Sequence, residues 1–224
     1  MSLRGRAFLP MWWGLAEGFE REFDRWHTIE HMPERLGIPG FLRGRRYIGA
    51  ENGRRVFQIY EAAHIETFRS PGYLARLNAP TDWSNRVQPG LTGMVRGACE
   101  TLISLGEGVA GSLIAARLLA GDADPLPTGQ ALAAAALELR RLHGVTAVHL
   151  GRHLPGVTTV ETAETRLRPA APAAEFDFVI LVEGIATSEL ADATSRLPEL
   201  AKTAGARPLE SDLYRLAYLL EHEG

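Results

Sequence analysis

The order of elements along this chain runs through once and then repeats, and that duplication restricts the possible folds more than any single motif does. In the first half, "RAFLPMWWGL" reads as a strand, and "FEREFDRWHTIEHM" places Phe19, Phe23 and Trp26 on one helix face. "GFLRGRRYIG" and "RRVFQIYEA" read as two strands joined at Asn52-Gly53, a strong hairpin dipeptide. Ser70 as N-cap and Pro71 as first residue open a helix, a short helical piece follows "TDWS", and "GMVRGACETLISLG" closes the half as one strand. Beyond the Gly-rich stretch "GEGVAGS" (106–112) the order returns. "SLIAARLLAG" is a strand, and "TGQALAAAALELRRLHG" is a helix that stops at Gly144. Two strands follow, "VTAVHLGRHL" and "FDFVILVEGI", then the helix "TSELADATSRLPELAKTAG" and a last strand, "SDLYRLAYLLEH". By eye, Gly44-Arg45 falls over Gly151-Arg152. The segment "VTTVETAETRLRPAAPAA" has no counterpart in the first half and reads as a long hairpin connection ending in a Pro/Ala linker.

Two successive β-α-β-β-α-β units predict an α+β chain of two ferredoxin-like repeats, 1–107 and 108–224. Each repeat is a four-stranded antiparallel sheet with both helices on one face. The bare faces need cover, and a duplicated chain can cover one sheet with the other, giving a pseudo-two-fold α+β barrel within one chain. The 224 residues suffice for such a core. A net charge of -3 supplies no basic field for phosphate backbones, so no nucleic-acid partner is expected. The single cysteine, Cys99, fits a buried thiol in a reducing compartment, no apolar run is long enough to span a bilayer, and the expected location is cytoplasmic.

All four tryptophans (Trp12, Trp13, Trp26, Trp83) lie in the first half, so a pocket is expected there, with the second half degenerate at the site. "HTIEH" (27–31) has the spacing of an inverted zinc-peptidase motif, with two histidines four residues apart and Glu30 as base. Pro33 disfavours helix at Met32 and puts the motif at a helix end, so the spacing is read as coincidence and no metal or cofactor is expected. His27 is expected at the surface near Asp24 and Glu20. His31 has two readings. It is a protonated imidazole at a helix C-terminus, or it faces a cleft where Pro33 ends the helix and acts as a general base. Strand alternation in "FLRGRRY" puts Phe41, Arg43, Arg45 and Tyr47 on one face. A buried arginine there needs an anion, either Glu61 or Glu100 within the chain or the carboxylate of a ligand. Trp12 and Trp13 project to opposite faces, one toward the helices and one into the barrel. "GEGVAG" opens no helix and so cradles no phosphate.

The run from Trp26 to Tyr47, "WHTIEHMPERLGIPGFLRGRRY", with this architecture, resembles the dimeric α+β barrel superfamily and within it the EthD-like proteins. The matching positions are His31, Pro33, Gly40 and Tyr47. The resemblance implies a small-molecule ligand, a possible homodimer, and a chemistry drawn from cofactor-free monooxygenases, cyclases, isomerases and haem-handling enzymes. On that footing the candidates are His31 and Tyr47 as catalytic groups, with Arg45, Trp26, Trp12 and Trp13 binding a small apolar or aromatic carbonyl compound. Two other readings stand beside it: a binding or structural protein without chemistry, and a haem-binding barrel with His149 or His153 as axial ligand. Whether the chain is an enzyme stays open at this level.

Overall fold

The computed structural model describes residues 3–121, 125–169 and 175–222. Among the described residues nine strands form one sheet in the order β3-β2-β9-β6-β8-β7-β5-β1-β4, and β1 also pairs with β3, so the sheet closes on itself. The strands are β1 (Ala7–Leu15), β2 (Phe41–Gly49), β3 (Arg55–Ala62), β4 (Leu91–Arg96), β5 (Cys99–Gly106), β6 (Ser112–Ala120), β7 (Val145–His153), β8 (Phe178–Gly184) and β9 (Ala206–Glu221). The seams between the repeats are antiparallel pairings of β2 with β9 and of β5 with β7. The expected two-repeat α+β barrel is therefore the observed fold.

The local signals act as their chemistry predicts. Ser70 accepts a hydrogen bond from the Tyr73 amide at the start of α3 (Pro71–Asn78), and Thr81 caps α4 (Asp82–Val87) the same way. Gly144 takes a positive φ of 76° after α5 (Pro125–Arg140), a conformation open to glycine at little cost. One expected strand is in fact two. The segment predicted to close the first half breaks at Gly97-Ala98, so that β4 pairs with β1 while β5 crosses to β7. A Cβ on Gly97 would meet the His153 ring at 2.6 Å, so the break is where two segments approach closest.

The helices pack outside the barrel and divide the apolar residues into three clusters. Trp13, Phe23, Trp26 and Phe41 lie in the helix-side core of the first repeat. Leu132, Leu139, Leu190 and Leu197 do so in the second, where α7 (Ala191–Thr203) lies beside α5. Phe8, Trp12, Tyr47, Phe57, Leu181 and Tyr214 fill the barrel itself. Trp12 and Trp13 thus part as alternation demands. Phe41 does not follow Arg43, Arg45 and Tyr47, because a register shift between Phe41 and Arg43 turns its ring to the helices, against Phe68 and Tyr73. The alignment of Arg45 with Arg152 also needs correction. Arg45 pairs across from Ile59, two residues before Glu61; His149 pairs across from Leu181, two before Glu183. His149 holds the place of Arg45, and Arg152 bonds Glu100 at the surface. Among the described residues no helix is long and apolar enough to cross a membrane.

Candidate functional site

The site grows from the helix that follows β1. α1 (Glu20–Trp26) passes without a break into a π turn (His27–His31) and then α2 (Met32–Leu36). The expected helix end at Pro33 is absent. Proline lacks an amide hydrogen and its ring crowds the carbonyl four residues back, and a π turn absorbs both by widening the helix. The Met32 amide accordingly bonds the His27 carbonyl, five residues back. The wider turn brings Trp26 and His31, also five residues apart, into a tilted ring contact at 4.3 Å between ring centres.

His27, expected at the surface, is 1% exposed. It lies one turn beyond Phe23 on the inward face, 5.1 Å from that ring, and its Nε2 meets Gln58 Oε1 on β3. Burial, followed by the nearby Arg46 charge and against the Gln58 hydrogen bond, lowers its pKa to about 3. His31 is 7% exposed, and burial and then Arg35 hold its pKa well below the ordinary imidazole value. Both rings are therefore neutral near pH 7, which replaces the expectation of a protonated His31 at a helix terminus. Neither His27 Nδ1 nor His31 Nδ1 has a hydrogen-bond partner among the described residues.

These rings line a cleft with Trp13, Trp26, Gln58, Gln88, Met94 and Arg168. About 20 Å³ of it accepts the centre of a water-sized atom, enough for roughly one such atom. Arg168, Gln88 and Met94 were not candidates on sequence grounds. Arg168 belongs to the extra connection between β7 and β8, which crosses back to the first repeat. Thr162 caps α6 (Ala163–Arg166) there, and the Ala163 amide donates to Asn78 on α3. Glu164 on α6 bonds both Arg35 and Arg168. Burial lowers the Arg168 pKa to about 10 against the opposing pull of Glu164, which still leaves a cation at neutral pH. The Pro/Ala linker expected at the end of this connection lies, at 170–174, outside the described residues.

The structure does not bring His31 and Tyr47 together. Trp13, Trp26 and His31 share the helix-side cleft; Trp12, Arg45 and Tyr47 lie inside the barrel, across the sheet. Arg45 holds Glu61 at 2.8 Å and Glu183 at 2.7 Å and donates to Tyr47 Oη at 3.0 Å, so its anions come from within the chain. Glu61 was among the expected partners and Glu183 was not. Burial raises the Glu183 pKa, but Arg45 and then His149 outweigh it and bring the value down to about 2. Burial drives the Tyr47 hydroxyl pKa upward. Trp12 meets the Phe57 ring in a tilted contact, 5.0 Å between ring centres, with Arg117 5.4 Å above its own ring.

The residues do not fit a haem. Both His149 ring nitrogens are taken, Nε2 by Glu183 at 3.1 Å and Nδ1 by Ser104 at 2.9 Å. His153 bonds the Phe176 carbonyl through Nδ1 and stacks on the Phe176 ring. Among the same residues no group of three or more His, Cys, Asp or Glu is placed to hold a metal.

No protein-family profile matches the sequence, and no curated protein matches it. Solved structures do match in shape. An anthrone oxidase-like protein superposes with a TM-score of 0.64 at 11% identity, covering 100% of this chain and 97% of the other. A candidate monooxygenase from Fusobacterium nucleatum gives 0.57 at 9% identity over 99% and 97%. A chlorite dismutase variant from Candidatus Nitrospira defluvii gives 0.54 at 11% over 94% and 91%. All three are dimeric α+β barrel proteins, and at these identities the likeness is one of fold.

Proposed function

We propose that the helix-side cleft of the first repeat binds a small apolar or aromatic carbonyl compound, and that His31 acts there as the base in cofactor-free proton transfer. The observation that carries this reading is His31 Nδ1, buried and without a partner in a cleft that no acidic residue lines among those described. In the tautomer protonated at Nε2, Nδ1 offers a lone pair. A proton from the carbon beside a carbonyl would pass to it, the C–H electron pair would enter the enolate, and the reverse step would return a proton from solvent. Trp26 and Trp13 supply the apolar wall. The orienting roles first considered for Tyr47, Arg45 and Trp12 have no part in this reading, because those side chains face the barrel. The monooxygenase-like and anthrone oxidase-like neighbours are compatible with ring ketones as ligands.

The alternative of a binding protein without chemistry draws on one observation, the low basicity that burial imposes on His31. Solvent deuterium exchange into acetophenone and 1-tetralone, followed by NMR, separates the two. The catalytic reading expects exchange above the buffer rate that falls at least about 100-fold in His31→Ala, the usual worth of a positioned base. Exchange at the buffer rate in the intact protein, with either ketone bound, would leave the binding reading in its place.

A further inference from the structure

Apart from the two imidazole Nδ1 atoms, the unpaired polar atoms around the cleft are N–H donors. Trp13 Nε1, Gln58 Nε2 and Gln88 Nε2 are buried with no hydrogen-bond partner among the described residues. Gln88 Oε1 accepts from Arg168 Nε at 2.6 Å, which fixes the amide so that its NH2 is the free end. Arg168 gives its Nη2 edge to Glu164, while its Nη1 edge meets Met94 Sδ at 2.9 Å, a thioether and a weak acceptor. Trp13 Nε1, Gln88 Nε2 and Arg168 Nη1 are therefore donors on one small cleft, one of them cationic, with Gln58 Nε2 a further free donor on its lining, and the described lining contains no carboxylate. Burying donors without acceptors is costly, and the cost is removed when an acceptor, best an anionic one, occupies the space.

We propose that Trp13 Nε1, Gln88 Nε2 and Arg168 Nη1 form an anion hole for one oxygen of the ligand, so that the site selects small ring compounds able to exist as enolates or phenolates. This rests on the reading above and narrows it by charge class. The room, about that of one water-sized atom, suits a single oxygen and is too small for a whole ring, whose body would occupy the cleft toward solvent. The charged groups about the hole are Arg168 itself, across Glu164 Arg35 with Glu34, and the more distant Arg96 and Arg46, which act on Arg168 and His27; the two histidines beside it are neutral at pH 7. Selectivity is thus delivered by the one segment that breaks the duplication.

The test uses the full chain and 4-nitrophenol, whose absorbance reports its own ionisation. The proposal expects saturable binding and a bound dye that ionises at least about one pH unit below the free dye, a tenfold preference for the anion. Arg168→Met should return the midpoint to that of free dye. Trp13→Phe, which keeps the packing and removes only the N–H, should return it part of the way; it decides the question if Arg168→Met does not fold by circular dichroism. A bound dye that titrates like free dye, the absence of saturable binding, or a shift unchanged in a folded variant would each overturn the proposal. The two readings fail separately in the intact chain. Ketone exchange at the buffer rate with the dye shift present defeats the base and leaves the anion hole, exchange above the buffer rate without a dye shift does the reverse, and His31→Ala should lose the exchange while keeping the dye shift.

Discussion

At the scale of single residues, two buried neutral imidazoles set an acid limit on the protein. A histidine whose folded pKa lies below its unfolded value of about 6.5 binds a proton more readily in the unfolded chain. The sign follows. Stability is full above pH ~6.5 and falls as the pH drops toward the folded value, about 3 for His27, at about 1.4 kcal/mol per pH unit for each such histidine. Urea unfolding from pH 7 to pH 4 should show this decline, and His27→Gln should reduce its slope by one proton's worth. An unchanged slope would mean that His27 is already solvated in the native state. His27 was expected at the surface and is buried; the signal for its inward placement was its position four residues after Phe23, on a helix whose buried face Phe23 defines. His31's neutrality was not legible, because it depends on Arg35 and on burial by segments distant in the chain.

The π turn and the β7–β8 connection decide the site at the scale of elements. Pro33 is the local cause of the π turn, and Glu30, which accepts hydrogen bonds from Trp26 Nε1 at 3.2 Å and from the Thr81 hydroxyl, anchors it from outside. Pro33→Ala restores the amide that a regular helix needs. The expected outcome is a fold stable to within about 1 kcal/mol of the parent, the range of a compatible Pro replacement, with Trp26 freed from His31. Tryptophan emission reports that change directly. Emission identical to the parent would show that Glu30, Ser84 and Thr81 hold the π turn without the proline. The connection between β7 and β8 was visible in the sequence only as an insertion. That it returns to the first repeat and delivers Arg168 depends on Glu164 reaching Arg35, a contact between residues 129 apart.

For the whole molecule, the two repeats are locked by charge inside the barrel as well as by strand pairing. Arg45 and Arg43 of β2 hold Glu61 of β3, and Arg45 also reaches Glu183 of β8 in the other repeat. Removing one member leaves buried carboxylates without their counter-charge, so Arg45→Met should cost about 3–5 kcal/mol. Thermal melting measures that loss, and a melting point equal to the parent's would show that water reaches the barrel interior. The pairing of β2 with β9 and of β5 with β7 carries a second expectation. Chains 1–107 and 108–224 made separately each expose the seam strands that the other covers, and should aggregate or self-associate until mixed. Gel filtration of each half and of the mixture checks this; two stable monomeric halves would contradict it.

The sequence by itself determined the element order, the caps, the duplication and therefore the barrel, because those follow from short-range preferences and from alternation that any neighbour must respect. It also parted Trp12 from Trp13 and confined the aromatic cluster to the first repeat. Only the tertiary structure decided which arginines are spent inside the chain and which donors are left over. A buried charge takes its meaning from its partner, and here the deciding partners come from elements distant in the chain: Glu183 on β8 for Arg45, Glu164 on α6 for Arg35, and Gln88 for Arg168. Spacing along a strand cannot report such pairings. It placed Tyr47 and His31 in one motif, and the sheet between them put the two side chains on opposite faces.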